Sequence, residues 1–370
     1  MHDLKKETQK SDLADIYNKL ESGERLNYYD LKSYVRAVRS GEVDAYRFVA
    51  VLAIMETRNR LKGIDIQETS NFVRALRYDG LPDPEGVVCT AGTGGDPVKT
   101  VNVSTAAALV LAAGGIPVMK NGYKNITGKC GSRDILKCWG IDPFLPIDCV
   151  LKTVRDIKIG YYDFANLIVR EERSGFHSPL HYIGALSHPV NVRYKILGCS
   201  DEKQFSVIER LADELFDNYF ISLNPDVDEL STVSSSFVVE KRNGKKRRYT
   251  LNPKELNINH KSYAGVGALP TPAANAAFLK DVLKGRKGHA LDLIALNAAA
   301  AFYLCGKADT IANGLSQAYE ILKTGGALDI LKRWKTYSNG KSSQIHARRK
   351  SLPARLDKNR MSHKDRKKHL

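Results

Sequence analysis

The stretch Glu85-Gly86-Val87-Val88-Cys89-Thr90-Ala91-Gly92-Thr93-Gly94-Gly95-Asp96 reads as a short apolar strand that ends in a glycine-rich turn. A helix is predicted just after it at residues 104–110, with its own amino-terminal cap, and the next buried strand at residues 116–119. A strand, a helix and a second strand in this order predict a right-handed βαβ unit on a parallel sheet. The fold class predicted from this stretch is therefore α/β.

The regions on either side of this unit differ in character. Residues 13–77 are predicted to form amphipathic helices with turns at residues 21–24 and 40–43, because apolar side chains such as Phe48 and Leu52 recur at helical spacing. After the unit we predict a helix at 201–216, a strand at 219–222, a charged hairpin at 237–251, and helices at 271–283, 291–304 and 310–322. The apolar periodicity ends after Trp334.

The positive charge is concentrated at the carboxyl end of the chain. The 370 residues carry a formal net charge of +16, and the last 34 residues contain eleven Lys and Arg against two Asp. A segment this basic has too few apolar side chains to offset the entropy lost on ordering. We therefore expect residues 337–370 to be a disordered basic tail on a mildly basic globular protein.

The sequence also indicates the cellular compartment. The chain has no uncharged apolar run of the length that spans a bilayer, and the charges of Met1-His2-Asp3-Leu4-Lys5-Lys6 are not followed by the hydrophobic stretch of a secretory signal. Its six cysteines are scattered without a C-x-x-C pair and predict neither a disulfide framework nor a zinc site. A cytoplasmic protein is expected.

The glycine turn and the helix after it predict an anion site. A turn of this kind places backbone N–H groups at the positive end of the helix dipole. Asn102, Ser104 and Thr105 fall at the start of the helix, where a side chain can either cap it or contact a ligand. Capping accounts for one of these three polar residues but not for the glycines and Asp96 upstream, so phosphate binding is the favoured interpretation.

Lys120 ends the second strand and is followed by glycines. At the carboxyl end of a parallel strand its side chain is expected to face the same crevice as the glycine turn. Residues 122–129 have the glycines and the lysine of a nucleotide-binding P-loop, but the spacing is one residue too long and Cys130 stands where Ser or Thr would hold magnesium. We therefore reject a P-loop.

Adjacent carboxylates follow the strand predicted at residues 219–222. The run Asp226-Val227-Asp228-Glu229-Leu230-Ser231 places them at the exit of that strand. Mg²⁺ is usually held by one or two carboxylates together with waters and substrate phosphates. An acidic loop is often simply solvated, but beside two loops suited to phosphate it predicts a magnesium site.

Together these motifs carry a family resemblance. The run Ala91-Gly92-Thr93-Gly94-Gly95-Asp96, followed by Val101-Asn102-Val103-Ser104-Thr105-Ala106-Ala107, resembles the signature of the anthranilate phosphoribosyltransferases, in the glycosyltransferase family that also contains pyrimidine-nucleoside phosphorylases. Ordered motifs continue from about Ile16 to Trp334. They include Lys120-x-Gly122, Lys129-x-Gly131-Ser132, Gly184-x-Leu186, Asp228-Glu229-Leu230-Ser231 and Leu296-Asn297-Ala298-Ala299-Ala300.

The resemblance implies a small all-helical domain and a larger α/β domain with a mostly parallel central sheet. We expect a polar leader at 1–14, a helical domain at 15–80 with a hinge or inserted segment at about 170–195, and an α/β domain at 81–169 and 196–336. The implied reaction transfers ribose 5-phosphate from phosphoribosyl pyrophosphate to an aromatic amine such as anthranilate, as in tryptophan biosynthesis, with Mg²⁺ and loss of pyrophosphate. A homodimer formed through the helical domain is also implied.

Carried over residue by residue, the resemblance gives a set of candidates. The substrate-binding candidates are Gly92, Thr93, Gly94, Gly95, Asp96, Thr100, Asn102, Ser104, Thr105, Lys120, Asn121, Gly122, Tyr123, Ser132 and Arg170. The catalytic candidates are Lys120 and Arg170, and the metal candidates are Ser104, Asp228 and Glu229.

The sequence departs from the family pattern on the acceptor side. The family's Lys-His-Gly-Asn reads Lys120-Asn121-Gly122-Tyr123 here, and a His-Pro motif is missing from residues 160–170. Arg170 is the remaining match to the arginine that meets the acceptor carboxylate, although a surface position beside two glutamates would suit it equally. His177, His181 and His188 are alternative pocket residues, although a lone histidine is more often structural.

Two other functions stay open. A nucleoside phosphorylase would use inorganic phosphate in the same loops, but it has no pyrophosphate that requires paired metals, so Asp228 and Glu229 favour the transferase. A nucleic-acid-binding protein on this scaffold would use the basic tail, with affinity that falls steeply as salt rises. A solubilising or targeting extension explains that tail equally well.

Overall fold

The computed structural model describes residues 11–122, 130–163 and 179–351. Of the predicted residues, Tyr123, Lys129, Arg170, His177 and the side chain of His181 lie outside this description, as do residues 352–370. The amino-terminal part is helical, with α1 (Leu13–Glu21), α2 (Tyr28–Ser40), α3 (Ala45–Lys62) and α4 (Ile66–Ala75). Each of these helices starts at a side chain that accepts a backbone hydrogen bond, namely Asp12, Asn27, Asp44 and Asp65.

Strands and helices then alternate. The elements are β1 (Val88–Gly92), α5 (Val103–Ala113), β2 (Val118–Gly122), α6 (Ser132–Cys138), α7 (Ile147–Ile157), β3 (Ile159–Asp163), α8 (Leu180–Leu186), β4 (Tyr194–Cys199), α9 (Glu202–Leu215) and β5 (Asn218–Leu223). A hairpin of β6 (Ser236–Arg242) and β7 (Lys245–Leu251) follows, and the chain continues with α10 (Pro272–Val282), α11 (His289–Leu304), α12 (Ile311–Lys323) and α13 (Gly326–Ser351).

The seven strands form one sheet in the order β3-β2-β1-β4-β5-β6-β7. The pairs among the first five of these are parallel, and β6 and β7 add an antiparallel hairpin at one edge. The predicted α/β class and mostly parallel sheet are confirmed. The strand order reverses between β1 and β4, and open α/β sheets bind their ligands at the carboxyl ends of the strands that flank such a point.

Buried side chains pack on both faces of the sheet. Neighbouring residues of one strand point to opposite faces, so Val88 belongs to one hydrophobic cluster with α5 and α11, while Cys89 belongs to a second cluster with α1–α4 and α9. The helical segment therefore shares a hydrophobic cluster with one face of the sheet. The domain boundaries set out above stay a prediction.

The carboxyl-terminal helix is longer than the sequence predicts. α13 runs to Ser351, so the expectation of disorder is wrong for residues 337–351. Trp334 is buried, the Ser338 hydroxyl accepts from the Asp142 amide at 2.9 Å, and Tyr337 donates to Asp156. Once a helix is nucleated and docked, each further residue adds a hydrogen bond at little extra cost. Within the described ranges, no helix is both long and apolar enough to cross a membrane.

Candidate active site

Two glycines meet at the point where the strand order reverses. Gly92 ends β1 and pairs in register with Gly198 near the end of β4. The chain that carries Asp228 and Glu229 crosses both of them. A Cβ atom on Gly92 would overlap the Asp228 carboxylate, and one on Gly198 would overlap the backbone of Asp228 and lie 2.7 Å from the Cα of Glu229. Only glycine leaves room for this crossing.

The glycine turn is fastened to the same carboxylate. Gly94 and Gly95 have φ angles of 74° and 85°, a conformation that favours glycine. The Gly94 amide donates to Asp228 Oδ2 at 2.6 Å, and the Thr93 amide donates to the Gly198 carbonyl at 3.0 Å. The first of these bonds fastens the turn to the carboxylate loop, and the second fastens it to the end of β4.

The polar residues at the start of α5 do not cap it. Asn102 is the residue before the helix, but its side chain makes no capping bond, and its Nδ2 donates to the Cys130 carbonyl at 3.3 Å. Thr105 Oγ1 is buried and has no hydrogen-bond partner in the part of the chain that the structure describes. The predicted cap is thus wrong, because these side chains have longer-range partners or none. The amino terminus of α5 keeps its positive end available for an anion.

Lys120 lies beside this helix terminus. Its side chain is buried, and its Nζ donates to Ser104 Oγ at 2.8 Å and to the Thr90 carbonyl at 3.1 Å. Burial lowers the pKa of Lys120 to about 8. These contacts hold Lys120 between β1 and the start of α5, and its role in the site stays a prediction. A buried ammonium with two neutral acceptors is suited to receive an anionic group.

Three carboxylates crowd the other side of the turn. Thr100 Oγ1 donates to Glu229 Oε1 at 2.7 Å, and Lys99 Nζ lies 3.2 Å from Asp96 Oδ1. Burial, followed by the nearby Asp228, raises the pKa of Glu229 well above its usual range, and the same two causes raise the pKa of Asp96. Negative charges held this close to one another form a site that a cation would stabilise.

Gly122 and Ser132 meet where β2 ends and α6 begins. A Cβ atom on Gly122 would overlap Ser132 Oγ and lie 2.7 Å from the Tyr161 ring. The glycine therefore allows the first turn of α6 to reach the sheet. Beside it, Arg133 forms an ion pair with Asp163, which is fully buried at the end of β3.

Asn121 and His188 form hydrogen bonds within the protein on the predicted acceptor side. The Asn121 amide group donates to the carbonyls of Ser187 and Gly184, and its Oδ1 accepts from Cys89 Sγ at 3.3 Å. Asn121 is thus buried and internally bonded, which contradicts its predicted role as a substrate contact. His188 is also buried, its Nε2 lies 3.0 Å from the Met119 carbonyl, and burial lowers its pKa to about 3. Of the three histidines, this one is structural.

Sequence reasoning missed Gly198 and Thr90. Gly198 lies on a strand that we did not predict, and its role is visible only once that strand is paired with β1. Thr90 contributes a backbone carbonyl to Lys120, which any residue could supply. A sequence signal could have found Gly198, because a glycine near the end of a strand often marks a close backbone approach.

The chain is similar to known proteins over most of its length. The family model described as "Glycosyl transferase family, a/b domain" matches residues 85–328. The anthranilate phosphoribosyltransferase of Methanosarcina mazei is 31% identical over 357 residues, covering 93% of this chain and 94% of the relative. That of Thermomicrobium roseum is 32% identical over 346 residues, covering 88% and 97% respectively.

Solved structures give the same result. The crystal structure of anthranilate phosphoribosyltransferase from Thermus thermophilus is 28% identical, with a TM-score of 0.76 over 88% of this chain and 99% of that chain. The Saccharomyces cerevisiae enzyme in complex with PRPP and Mg shares the fold at 21% identity, with a TM-score of 0.74 over 89% and 99%. The chain therefore belongs to the anthranilate phosphoribosyltransferase family of glycosyl transferases, as its motifs indicate.

Proposed function

We propose that this protein transfers ribose 5-phosphate from phosphoribosyl pyrophosphate to anthranilate or a related small aromatic amine and releases pyrophosphate. The observation that carries the proposal is the position of Lys120 and Ser104 beside the uncapped start of α5. A buried ammonium and a helix amino terminus both favour an anion of high charge. Phosphoribosyl pyrophosphate also suits the relatives, whose names specify this transfer.

The donor would bind along the turn and the helix. In this proposal the phosphates lie against α5, where Ser104, Thr105 and Lys120 supply hydroxyl and ammonium groups. The unpartnered Thr105 hydroxyl supports this placement, because a buried donor without a partner costs free energy unless a ligand satisfies it. Asn102, Thr93 and Gly95 complete the proposed substrate contacts.

Asp228 and Glu229 would hold magnesium. Their donor atoms are all oxygen, and burial followed by the nearby Asp228 raises the pKa of Glu229, so the pair fits a hard divalent cation. A cation on these two carboxylates would be completed by water and substrate oxygens. Ser104 stays a proposed ligand. When bound, magnesium would offset the charge of the leaving pyrophosphate.

The chemistry asks for charge stabilisation and orientation. An aromatic amine is neutral near pH 7, so no strong general base is required. Lys120 would hold negative charge on the donor while the ribosyl carbon becomes cation-like. Because the protein contributes mainly fixed charges and fixed geometry, positioning would supply much of the rate.

The acceptor half must use other residues than Asn121. The amide of Asn121 is committed to Ser187 and Gly184, so it is not offered to an acceptor. Tyr123 and Arg170 stay proposed acceptor contacts, with Arg170 meeting the carboxylate. This change is the reason why the proposal allows aromatic amines related to anthranilate.

One assay tests the proposal. Purified protein, magnesium and phosphoribosyl pyrophosphate are combined with anthranilate, and separately with a panel of aromatic amines, and pyrophosphate release is followed. Release with anthranilate or an analogue is expected. If no acceptor leads to pyrophosphate release, the transferase proposal is refuted. Phosphate-dependent cleavage of nucleosides would support a phosphorylase instead. Salt-sensitive binding of RNA or DNA that is lost when residues 341–370 are deleted would support the nucleic-acid alternative.

The exposed face of α3 supports a homodimer through the helical segment. Tyr46, Ile54 and Leu61 are spaced at helical intervals and keep 89%, 39% and 79% of their surface exposed. A stripe of large apolar side chains of this kind is typical of an interaction surface. A second copy of the chain is the proposed occupant, and it would bury the same stripe from both sides.

A further inference from the structure

The loop between β5 and β6 is anchored at a residue that the proposed mechanism does not use. This loop carries Asp228 and Glu229, and Thr232 follows them on the same loop. Thr232 is 0% exposed, and its Oγ1 lies 2.6 Å from Nε2 of His289, the first residue of α11. A buried hydroxyl that meets a buried imidazole at this distance makes a strong, well-oriented hydrogen bond.

The direction of this hydrogen bond follows from the other ring nitrogen. His289 Nδ1 lies 3.0 Å from the Ala264 carbonyl oxygen, which can only accept, so Nδ1 carries the proton. His289 Nε2 then accepts from the Thr232 hydroxyl. Burial lowers the pKa of His289, so the ring stays neutral and keeps this tautomer. The His260 ring stacks on it, with centroids 3.8 Å apart, and fixes its plane.

His289 thereby joins two segments that flank the candidate site. Ala264 opens the stretch 264–268, and this stretch pairs with the residues that lead from the glycine turn into α5. The Val101 amide donates to the Val266 carbonyl at 2.8 Å, and the Ala268 amide donates to the Lys99 carbonyl at 2.7 Å. One imidazole thus links the carboxylate loop to the stretch that pairs with residues 99–101.

The loop needs such an anchor because its carboxylates repel each other. Burial, and then the nearby Asp228, raises the pKa of both Glu229 and Asp96, and without a cation a free loop would relieve the repulsion between these carboxylates by moving outward. Asn297 holds the same loop from α11, since its Oδ1 accepts from the Leu230 amide at 3.0 Å. Two attachments follow along the chain: the Ser231 hydroxyl lies 2.7 Å from the Tyr263 hydroxyl, and the Thr232 hydroxyl contacts His289.

We propose that His289 is a positioning residue for the phosphoribosyl transfer, acting through Thr232 to hold Asp228 and Glu229 against the glycine turn. The inference rests on the proposed function for its catalytic meaning. Its structural content, the contribution of the Thr232–His289 hydrogen bond to holding the loop, is separate and can be measured without any substrate.

The test compares Thr232→Val with Thr232→Ser and with Thr153→Val. Thr153 is an equally buried threonine on α7, and its hydroxyl also makes a 2.6 Å hydrogen bond, to the Cys149 carbonyl, so Thr153→Val controls for the loss of a buried hydroxyl elsewhere. Amide hydrogen exchange of residues 226–234 is measured without ligand. Calorimetry then measures the dissociation constant of phosphoribosyl pyrophosphate at a fixed magnesium concentration.

Faster exchange in the loop and a roughly tenfold weaker dissociation constant are expected for Thr232→Val, since a lost hydrogen bond of about 1.4 kcal/mol corresponds to a factor of ten. Thr232→Ser should keep the exchange rate and the dissociation constant of wild type, because it keeps the hydroxyl, and Thr153→Val should change neither quantity. His289→Gln, which keeps a hydrogen-bonding side chain but loses the ring that His260 covers, should fall between the two Thr232 variants.

Unchanged exchange at residues 226–234 in Thr232→Val would overturn the inference, whatever happens to the free energy of unfolding. Equal weakening of ligand binding by Thr153→Val would overturn it as well, since the effect would then be general destabilisation. If the wild-type protein does not bind phosphoribosyl pyrophosphate with magnesium, the proposed function fails instead, and the exchange measurement still decides whether His289 and Thr232 hold the loop.

Discussion

Asp228 lies directly over Gly92, with its backbone carbonyl oxygen 2.9 Å from the point where a Gly92 Cβ atom would be. The side-chain carboxylate of Asp228 accepts a hydrogen bond from the Gly94 amide, so the end of β1, the glycine turn and the carboxylate loop all meet at Asp228. Residues 134 positions apart in the sequence therefore share one site.

The variant Gly92→Ala is expected to weaken binding of phosphoribosyl pyrophosphate at least tenfold. The added methyl group overlaps the Asp228 carboxylate, and overpacking of this kind costs about 1–3 kcal/mol. Gly267→Ala is the matched control, because a Cβ atom there meets only the Lys99 carbonyl, at 4.0 Å. Calorimetric titration and urea unfolding of both variants check the prediction, which equal behaviour of the two would contradict.

The buried ammonium of Lys120 should make stability depend on pH in a defined direction. Burial lowers its pKa to about 8, whereas lysine in an unfolded chain titrates near ~10.4. Between these values the unfolded chain holds a proton that the folded chain has lost, so this group makes the folded state more stable as the pH rises through that window. Below about pH 8 the full cost of the buried charge is present.

Lys120→Met removes that dependence. The free energy of unfolding of the variant, relative to wild type, should fall by about 3 kcal/mol between pH 7 and pH 10, at ~1.4 kcal/mol per pKa unit. Urea denaturation at both pH values measures it, with Lys152→Met on the exposed surface of α7 as control. A pH-independent difference between Lys120→Met and wild type would show that the ammonium is not buried as described.

Glu229→Gln should gain thermal stability and lose the response to magnesium. The Glu229 carboxylate is crowded by Asp228 and partly buried, so its neutral isostere is expected to raise the melting temperature without magnesium by a few degrees. Magnesium with pyrophosphate should stabilise wild type and leave the variant unchanged. Thermal denaturation with and without both ligands checks this, and Glu320→Gln, at an exposed site on α12, should respond as wild type does.

Much of the fold can be predicted from local sequence. The caps at Asp12, Asn27, Asp44 and Asp65 start four helices by bonds to residues two or three positions away, so a reader of the sequence can place them. The unit β1-α5-β2 and the charged hairpin also follow from apolar runs and turns. The family signature adds the site residues, because its motifs keep a fixed order along the chain.

What escaped prediction depends on distant partners. β4 was missed because Lys195 interrupts its apolar run, yet this lysine is fully buried and its Nζ lies 3.2 Å from Cys89 Sγ on β1. The expected cap of α5 failed for the same reason, since Ser104 is bonded by Lys120 from the next strand. The sequence predicts Asn121 as a substrate contact, but its side chain bonds the carbonyls of Gly184 and Ser187, which are distant in the sequence.

The apolar stripe on α3 predicts the oligomeric state. Leu61→Glu places a charge where the proposed homodimer would bury Leu61, and a two-fold interface contains the substitution twice. Dimer dissociation should become at least ~100-fold more favourable, equivalent to about 3 kcal/mol. Ala312→Glu, on the exposed side of α12, adds the same charge away from the stripe and should leave association intact. Sedimentation equilibrium measures the mass of each protein in solution. The interface is supported if wild type and Ala312→Glu have twice the 41.1 kDa chain mass and Leu61→Glu has 41.1 kDa. A monomeric wild type or a dimeric Leu61→Glu contradicts it.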